Sequence, residues 1–151
     1  MIIYGKQPVY YLIEKHPQKV KTLFVSKELD KKEYSRLMRM DFELKRIPDN
    51  AAQYMSKTGN HQGILAEVDD LELYDLKDLS KPEFVLVLAG ITDMGNMGAI
   101  IRSAYGLGID AVVVTGIKQF AAENVVRSSA GAAYDMPIVH EHNLYDVMNE
   151  L

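Results

Sequence analysis

The chain has 151 residues, 48% of them hydrophobic and 25% charged, no cysteine, and a formal net charge of −4 at pH 7. This length holds one ordinary domain or two small ones, and the missing cysteines exclude disulfides, thiolate zinc sites and cysteine nucleophiles. No apolar run approaches the roughly 18 residues that span a bilayer, and the N-terminus lacks a basic-then-apolar leader pattern, so a cytoplasmic protein with no membrane partner is expected.

In chain order, Tyr4 to Glu14 reads as a helix with Pro8 in its first turn, and Lys21 to Ser26 reads as a strand. Asp30 to Met40 reads as a helix with Asp30 as its N-cap, followed by a strand from Glu43 to Ile47. A helix starting at Pro48-Asp49-Asn50 and reaching Lys57 leads into the loop Thr58-Gly59-Asn60-His61-Gln62-Gly63 and a strand from Ile64 to Val68. Residues 1–70 therefore form a small α/β unit. Residues 71–82, acidic and carrying leucines at 71, 73, 76 and 79, read as a linker that packs its leucines on one of its neighbours.

Residues 83–151 begin with Phe84-Val85-Leu86-Val87-Leu88-Ala89-Gly90, an apolar run expected as the central strand of a parallel sheet. Two further strands are expected at Ala111 to Thr115 and Pro137 to His140. A helix is expected over Ala121 to Ala133, and another after Asn143 as its N-cap. Strands alternating with helices predict a parallel sheet covered on both faces. About three strands are too few for a doubly wound domain, so this unit is expected to be incomplete.

Between the first of these strands and the second lies Asp93-Met94-Gly95-Asn96-Met97-Gly98-Ala99-Ile100-Ile101-Arg102. At 100° per residue, Met97, Ile100, Ile101, Ala104 and Leu107 form one stripe expected to pack on the sheet. The opposite side carries Gly98, Arg102 and Gly106, flanked by Ala99 and Ser103. A solvent face is ordinarily filled with long polar helix formers, and interior glycines cost about 1 kcal/mol each against alanine. Either RNA or another protein surface comes close to this face, or the glycines admit a neighbouring helix and Arg102 is an ordinary surface cation.

Charge is distributed unevenly. Residues 1–68 hold 12 Lys and Arg against 8 Asp and Glu, a net +4, while the remainder is net −8. This asymmetry points modestly to a polyanion held by the first unit. Lys6, Lys19, Lys21, Arg39, Lys45, Arg46 and Lys57 are candidate phosphate contacts, although a solvated cation is the commoner state. His61 and Gln62 beside two glycines offer hydrogen bonds and close backbone approach to RNA; the alternative is a turn shaped by Gly59 and Gly63 with His61 solvated. His16, His61, His140 and His142 have no metal-ligand spacing, the pair 140/142 reads as alternate faces of a strand end, and no metal is expected.

Four segments together resemble one family. Tyr4-Gly5-Lys6-Gln7-Pro8-Val9 is similar to the opening of the N-terminal RNA-binding module of SpoU-type RNA 2'-O-ribose methyltransferases, in the SPOUT superfamily, and His61-Gln62-Gly63-Ile64-Leu65-Ala66-Glu67-Val68 resembles the segment that closes it. Asp93 to Arg102 resembles the family's D-x-x-N-x-G-A-I-x-R motif, and Ser129-Ala130-Gly131-Ala132 with Pro137 resembles the segment after it. The resemblance covers nearly the whole chain. It implies a substrate-binding domain over 1–70, a linker over 71–82 and the N-terminal part of a trefoil-knot methyltransferase domain over 83–151.

The implied activity is methyl transfer from S-adenosyl-L-methionine to a ribose 2'-hydroxyl of ribosomal or transfer RNA, by a homodimer. Asn96 and Arg102 are implied in the active site, with His61, Gln62, Gly63, Lys6 and Arg46 on RNA. The family's second and third motifs, which build the cofactor-binding knot, are expected after residue 151, so this chain alone is expected to lack the cofactor site and to be inactive. The family's arginine is proposed as a base, but a guanidinium holds its proton too tightly for that, which argues for phosphate holding or alkoxide stabilisation instead. Asn96 either caps the helix or orients Arg102 and the ribose. Two other readings remain: a non-catalytic RNA-binding protein without the knot, and a nucleotide-binding α/β enzyme. The second is disfavoured because Gly90 to Gly95 matches no dinucleotide or phosphate loop.

Overall fold

The computed structural model describes all residues from Met1 to Leu151, and these divide into two compact units, Met1–Asp70 and Leu71–Leu151. No helix is long and apolar enough to cross a membrane.

In the first unit, β1 (Ile2–Tyr4), α1 (Lys6–Lys15), β2 (Val20–Val25), α2 (Lys31–Met38), β3 (Glu43–Arg46), α3 (Asp49–Ser56) and β4 (Ile64–Val68) follow in order. The sheet runs β1-β4-β2-β3, with β4 antiparallel to both of its neighbours and β2 parallel to β3. Helix α1 starts at Lys6, not Tyr4, because Ile2, Ile3 and Tyr4 pair with Glu67, Ala66 and Leu65 of β4. Three residues are too few to display a period of two, so this strand was invisible as a pattern. Val9, Leu12 and Ile13 of α1 are buried, as are Leu23, Val25, Ile64 and Ala66, which share one face of the sheet by register. Asp30 caps α2 by accepting from the Lys32 N–H at 2.8 Å, and Arg36 ties α2 to α1 by bridging Glu33 at 2.8 Å and Glu14 at 2.9 Å.

The second unit contains β5 (Val85–Ala89), α4 (Met94–Gly106), β6 (Ala111–Thr115), α5 (Ala122–Ser128), β7 (Ile138–Glu141) and α6 (Leu144–Glu150). Its sheet is wholly parallel in the order β5-β6-β7. The central strand is therefore β6, whose five residues are all buried, whereas β5 lies at the edge with Val85, Leu86 and Val87 only half-buried. A short apolar run reads the same in either position, and neighbours decide which it occupies.

Helices α4 and α5 pack against each other, as two successive right-handed crossovers in one direction require. On the other face, Val113 and Val139 meet Val147 of α6, with Leu76, Leu79, Val85 and Val87 around them. Leu76 and Leu79 thus pack on this sheet, and Tyr74 donates its backbone N–H to Ile138 O at 2.8 Å. The Asp110 carboxylate, at the start of β6, accepts from the N–H groups of Glu83 at 2.8 Å and Phe84 at 2.9 Å, fixing the entry to β5.

Helix α5 is shorter than its sequence suggested. It ends at Ser128, and Ala130 and Gly131 take left-handed backbone (φ +54° and +92°) before a single 3-10 turn over Ala132–Asp135. Small residues alone carry no stop signal other than that one glycine. His140 and His142 do not mark alternate faces: both rings reach the Ile117 carbonyl, at 2.9 and 3.4 Å. Residues two apart on a strand share a face.

Candidate functional site

The start of α4 lies beyond the C-terminal end of β5, where function gathers in parallel sheets. Its N-cap is Asp93, whose Oδ1 accepts from the Asn96 N–H at 3.0 Å. Asn96 is therefore the third residue inside the helix and does not cap it. Its amide is left exposed, with no hydrogen bond from its side chain.

Arg102 is exposed and has neither an acidic partner nor a hydrogen bond. It stands among the exposed residues Ala99, Ser103 and Gly106. Six residues separate it from Asn96, which by helix geometry is about 9 Å along the axis and about 120° around it. The helix thus offers two free polar groups at separate positions, the arginine on a surface cleared of competing side chains. A guanidinium so placed has five donors in a planar fork ready for a phosphate or a developing oxyanion.

The two glycines of that face have different roles. At Gly98 an added Cβ would overlap Ser128 Oγ and lie 2.6 Å from Ser128 Cβ and 2.8 Å from its carbonyl carbon, so this glycine admits helix α5. The Ser128 hydroxyl sits 2.8 Å from Met94 O and 2.7 Å from Asn124 O, so its one proton reaches either helix. At Gly106 an added Cβ would meet nothing within 4 Å, leaving that end of the face open. Met97, Ile101 and Ala104 are buried as expected, whereas Ile100 is half-buried and Leu107 is 80% exposed. Leu107 follows the last helical residue, where the stripe no longer faces the sheet.

In the first unit the His61-Gln62-Gly63 turn is built for shape. His61 is 4% exposed; its Nδ1 accepts from the Gly63 N–H at 2.9 Å, so Nε2 carries the proton, facing Asp49 Oδ1 at 3.3 Å. The ring is neither solvated nor open to RNA, because both nitrogens are engaged within the fold. Gln62 has φ +60°, unusual without glycine, and its Oε1 accepts from the Lys6 N–H at 2.7 Å, supplying the cap that Gly5 lacks on α1. Gly63, at φ +74°, is buried beneath the side chain of Lys27. We expect Gln62→Ala to cost about 1 kcal/mol, as loss of a helix cap does, read as a lower urea midpoint with unchanged slope.

Among the cations, Lys6 is exposed at the first turn of α1, and Arg46 is exposed with its guanidinium 5.5 Å from the Tyr34 ring centroid. Lys21 and Lys45 approach Asp69 and Glu43 at 3.9 and 3.6 Å. Sequence reasoning missed Lys27, because only the fold carries the end of β2 over the Gly63 turn. It also missed Ser128, whose pairing with Gly98 joins positions that no local period connects.

Comparison with known proteins follows the same division. Residues 83–151 match the SpoU rRNA Methylase family, and residues 2–74 match a family described as RNA 2'-O ribose methyltransferase substrate binding. The 23S rRNA (guanosine-2'-O-)-methyltransferase RlmB of Pseudomonas putida is 32% identical over 99% of this chain and 64% of its own length. For RlmB of Escherichia coli the figures are 32%, 99% and 66%. The chain thus spans about two thirds of the length of these relatives. The crystal structure of the SpoU methyltransferase AviRb from Streptomyces viridochromogenes, in complex with AdoMet, superposes with a TM-score of 0.75 at 24% identity, over 99% of this chain and 58% of that one. That superposition establishes a shared α/β fold.

Proposed function

Because the chain belongs to the SpoU methylase family, we propose that it serves methyl transfer to a ribose 2'-hydroxyl of ribosomal RNA, the first unit holding the RNA and the second carrying the reaction chemistry. The observation that carries this reading is Arg102: an unpartnered guanidinium on the cleared face of α4, within the segment matched to the methylase family. A 2'-hydroxyl is a weak nucleophile until its proton leaves, here to solvent water. Arg102 holds the adjoining phosphate or the developing alkoxide by charge-assisted hydrogen bonds, worth more where water is excluded. Asn96, free at the start of the same helix, orients the ribose from a second direction. Lys6 and Arg46 contact RNA phosphates, while His61, Gln62 and Gly63 shape the turn that holds Lys6.

The methyl donor we assign is S-adenosylmethionine. One edge of a site for it fits this chain. Thr115, fully buried at the C-terminal end of β6, has its hydroxyl without a hydrogen-bond partner. Beside it, a Cβ on Gly116 would lie 3.0 Å from the Gly90 nitrogen, so glycine there lets the ends of β5 and β6 close together. Thr115 would hold a polar atom of the cofactor, which when bound supplies an electrophilic methyl group.

By strand alternation Thr115 lies on the sheet face of Val113, toward α6, whereas Arg102 projects from α4 on the opposite side. One copy therefore does not present both groups to one ribose. This supports a homodimer. Acting on rRNA, the protein would work in the cytoplasm.

Incubation with methyl-labelled S-adenosylmethionine and unmodified 23S rRNA tests the reading. With the chain extended to its relatives' full length, label is expected in 2'-O-methylated nucleotides, recognised by resistance of the adjoining phosphodiester to alkali. RNA binding without any label would replace this reading with a binding-only protein.

A further inference from the structure

Two lysines far apart in sequence meet over the turn that closes the first unit. Ser26 donates its backbone N–H to Gly63 O at 3.0 Å, which lays the following residue, Lys27, directly across the glycine. Its stem is so close that a Cβ on Gly63 would lie 2.7 Å from both Lys27 Cγ and Cδ. From the other side, Gln62 Oε1 holds the first turn of α1 by the Lys6 N–H at 2.7 Å, so Lys6 and Lys27 flank the same turn. Burial and the neighbouring Lys6 pull the Lys27 ammonium below the usual lysine range. No carboxylate offsets the pair. Asp30 is occupied in capping α2, and neither lysine takes part in an ion pair.

Two like charges held together without a counter-ion repel each other, and an oxyanion between them removes that cost. We propose that Lys6 and Lys27 form a two-lysine clamp for a backbone phosphate of RNA, with the bare Gly63 turn as the floor beneath the Lys27 stem. This rests on the reading of the first unit as RNA-binding. A clamp of this kind positions the strand and carries no base information. It also gives His61 and Gln62 a defined part, since both stabilise the turn on which the two cations converge.

The test uses the full chain and fragmented 23S rRNA, with affinity measured over a salt series. Lys27→Met keeps an apolar stem over Gly63 and removes the ammonium. It is expected to weaken binding about five-fold near 0.1 M salt and to make the slope of log affinity against log salt shallower by about 0.7, as expected for one lost contact on single-stranded RNA. Lys6→Met with Lys27→Met should change the slope by about 1.4, and Lys27→Arg should restore the wild-type value. The thermal midpoint should not fall in Lys27→Met, which separates lost charge from lost structure.

Wild-type slope and affinity in Lys27→Met would overturn the clamp while leaving RNA binding by the unit intact. A wild-type chain that fails to bind the RNA would overturn the underlying reading. Inorganic phosphate followed by amide NMR decides the clamp in that case: shifts confined to Lys6, Gln62, Gly63 and Lys27 retain it as an oxyanion site, and their absence removes it.

Discussion

In the chain extended to its relatives' full length, replacing Arg102 with lysine is expected to lower methyl transfer about 100- to 1000-fold, the range seen when one donor to a developing oxyanion is removed. Lysine keeps the positive charge but loses the planar fork, so it meets a phosphate or alkoxide through one point instead of two parallel bonds. Arg102 is exposed and makes no hydrogen bond or ion pair, so the variant should fold as the wild type does, with an unchanged thermal midpoint. RNA affinity should change by no more than a few-fold, because one phosphate contact is a small part of a polyelectrolyte interaction. The split identifies the role: a fall in kcat with little change in KM places the arginine on the reacting ribose. Wild-type turnover in Arg102→Lys would remove it from the mechanism.

The largest structural effect is expected at Gly98. A methyl group there meets the Cβ and carbonyl carbon of Ser128 at 2.6 and 2.8 Å, and a rotamer change cannot clear backbone. Helices α4 and α5 must then move apart. Overpacking of this kind costs about 1–3 kcal/mol and occasionally more, whereas the alanine gains about 1 kcal/mol in helix propensity. We expect Gly98→Ala to lose about 2 kcal/mol net, measured as a lower urea midpoint. Gly106→Ala, with open space around its Cβ, is expected to gain about 0.5–1 kcal/mol instead. If the two substitutions moved stability in the same direction, close packing at Gly98 would not be its purpose. Gly98→Ala would also tilt the surface bearing Arg102, so its activity should fall further than its stability explains.

Much of the layout was legible because it is local. The period-two and apolar runs of β2, β4, β5, β6 and β7, the Asp30 and Asn143 caps, and the buried stripe of Met97, Ile101 and Ala104 each depend on residues a few positions apart. Asp93 as the cap of α4 was within reach of the same reasoning, since an aspartate three residues before Asn96 is an ordinary N-terminal signal. Asn96 suits a cap by its chemistry, but the helix begins two residues before it. The missed β1 and the shortened α5 show where local signals fail: three residues carry no measurable period, and small residues suit both a helix and the turn that ends it.

The candidate site divides along the same line. Composition, order of segments and the bare face around Arg102 were determined by the sequence, because helix geometry projects one-dimensional spacing onto a surface. Only the tertiary structure decided that Gly98 serves α5 and Gly106 serves open space, that His61 is a buried strut and Gln62 a cap for α1, and that Lys27 meets Lys6 over Gly63. Each of these depends on a contact between distant segments, and no spacing rule along the chain encodes which side chains a folded backbone will bring within a few ångströms of one another.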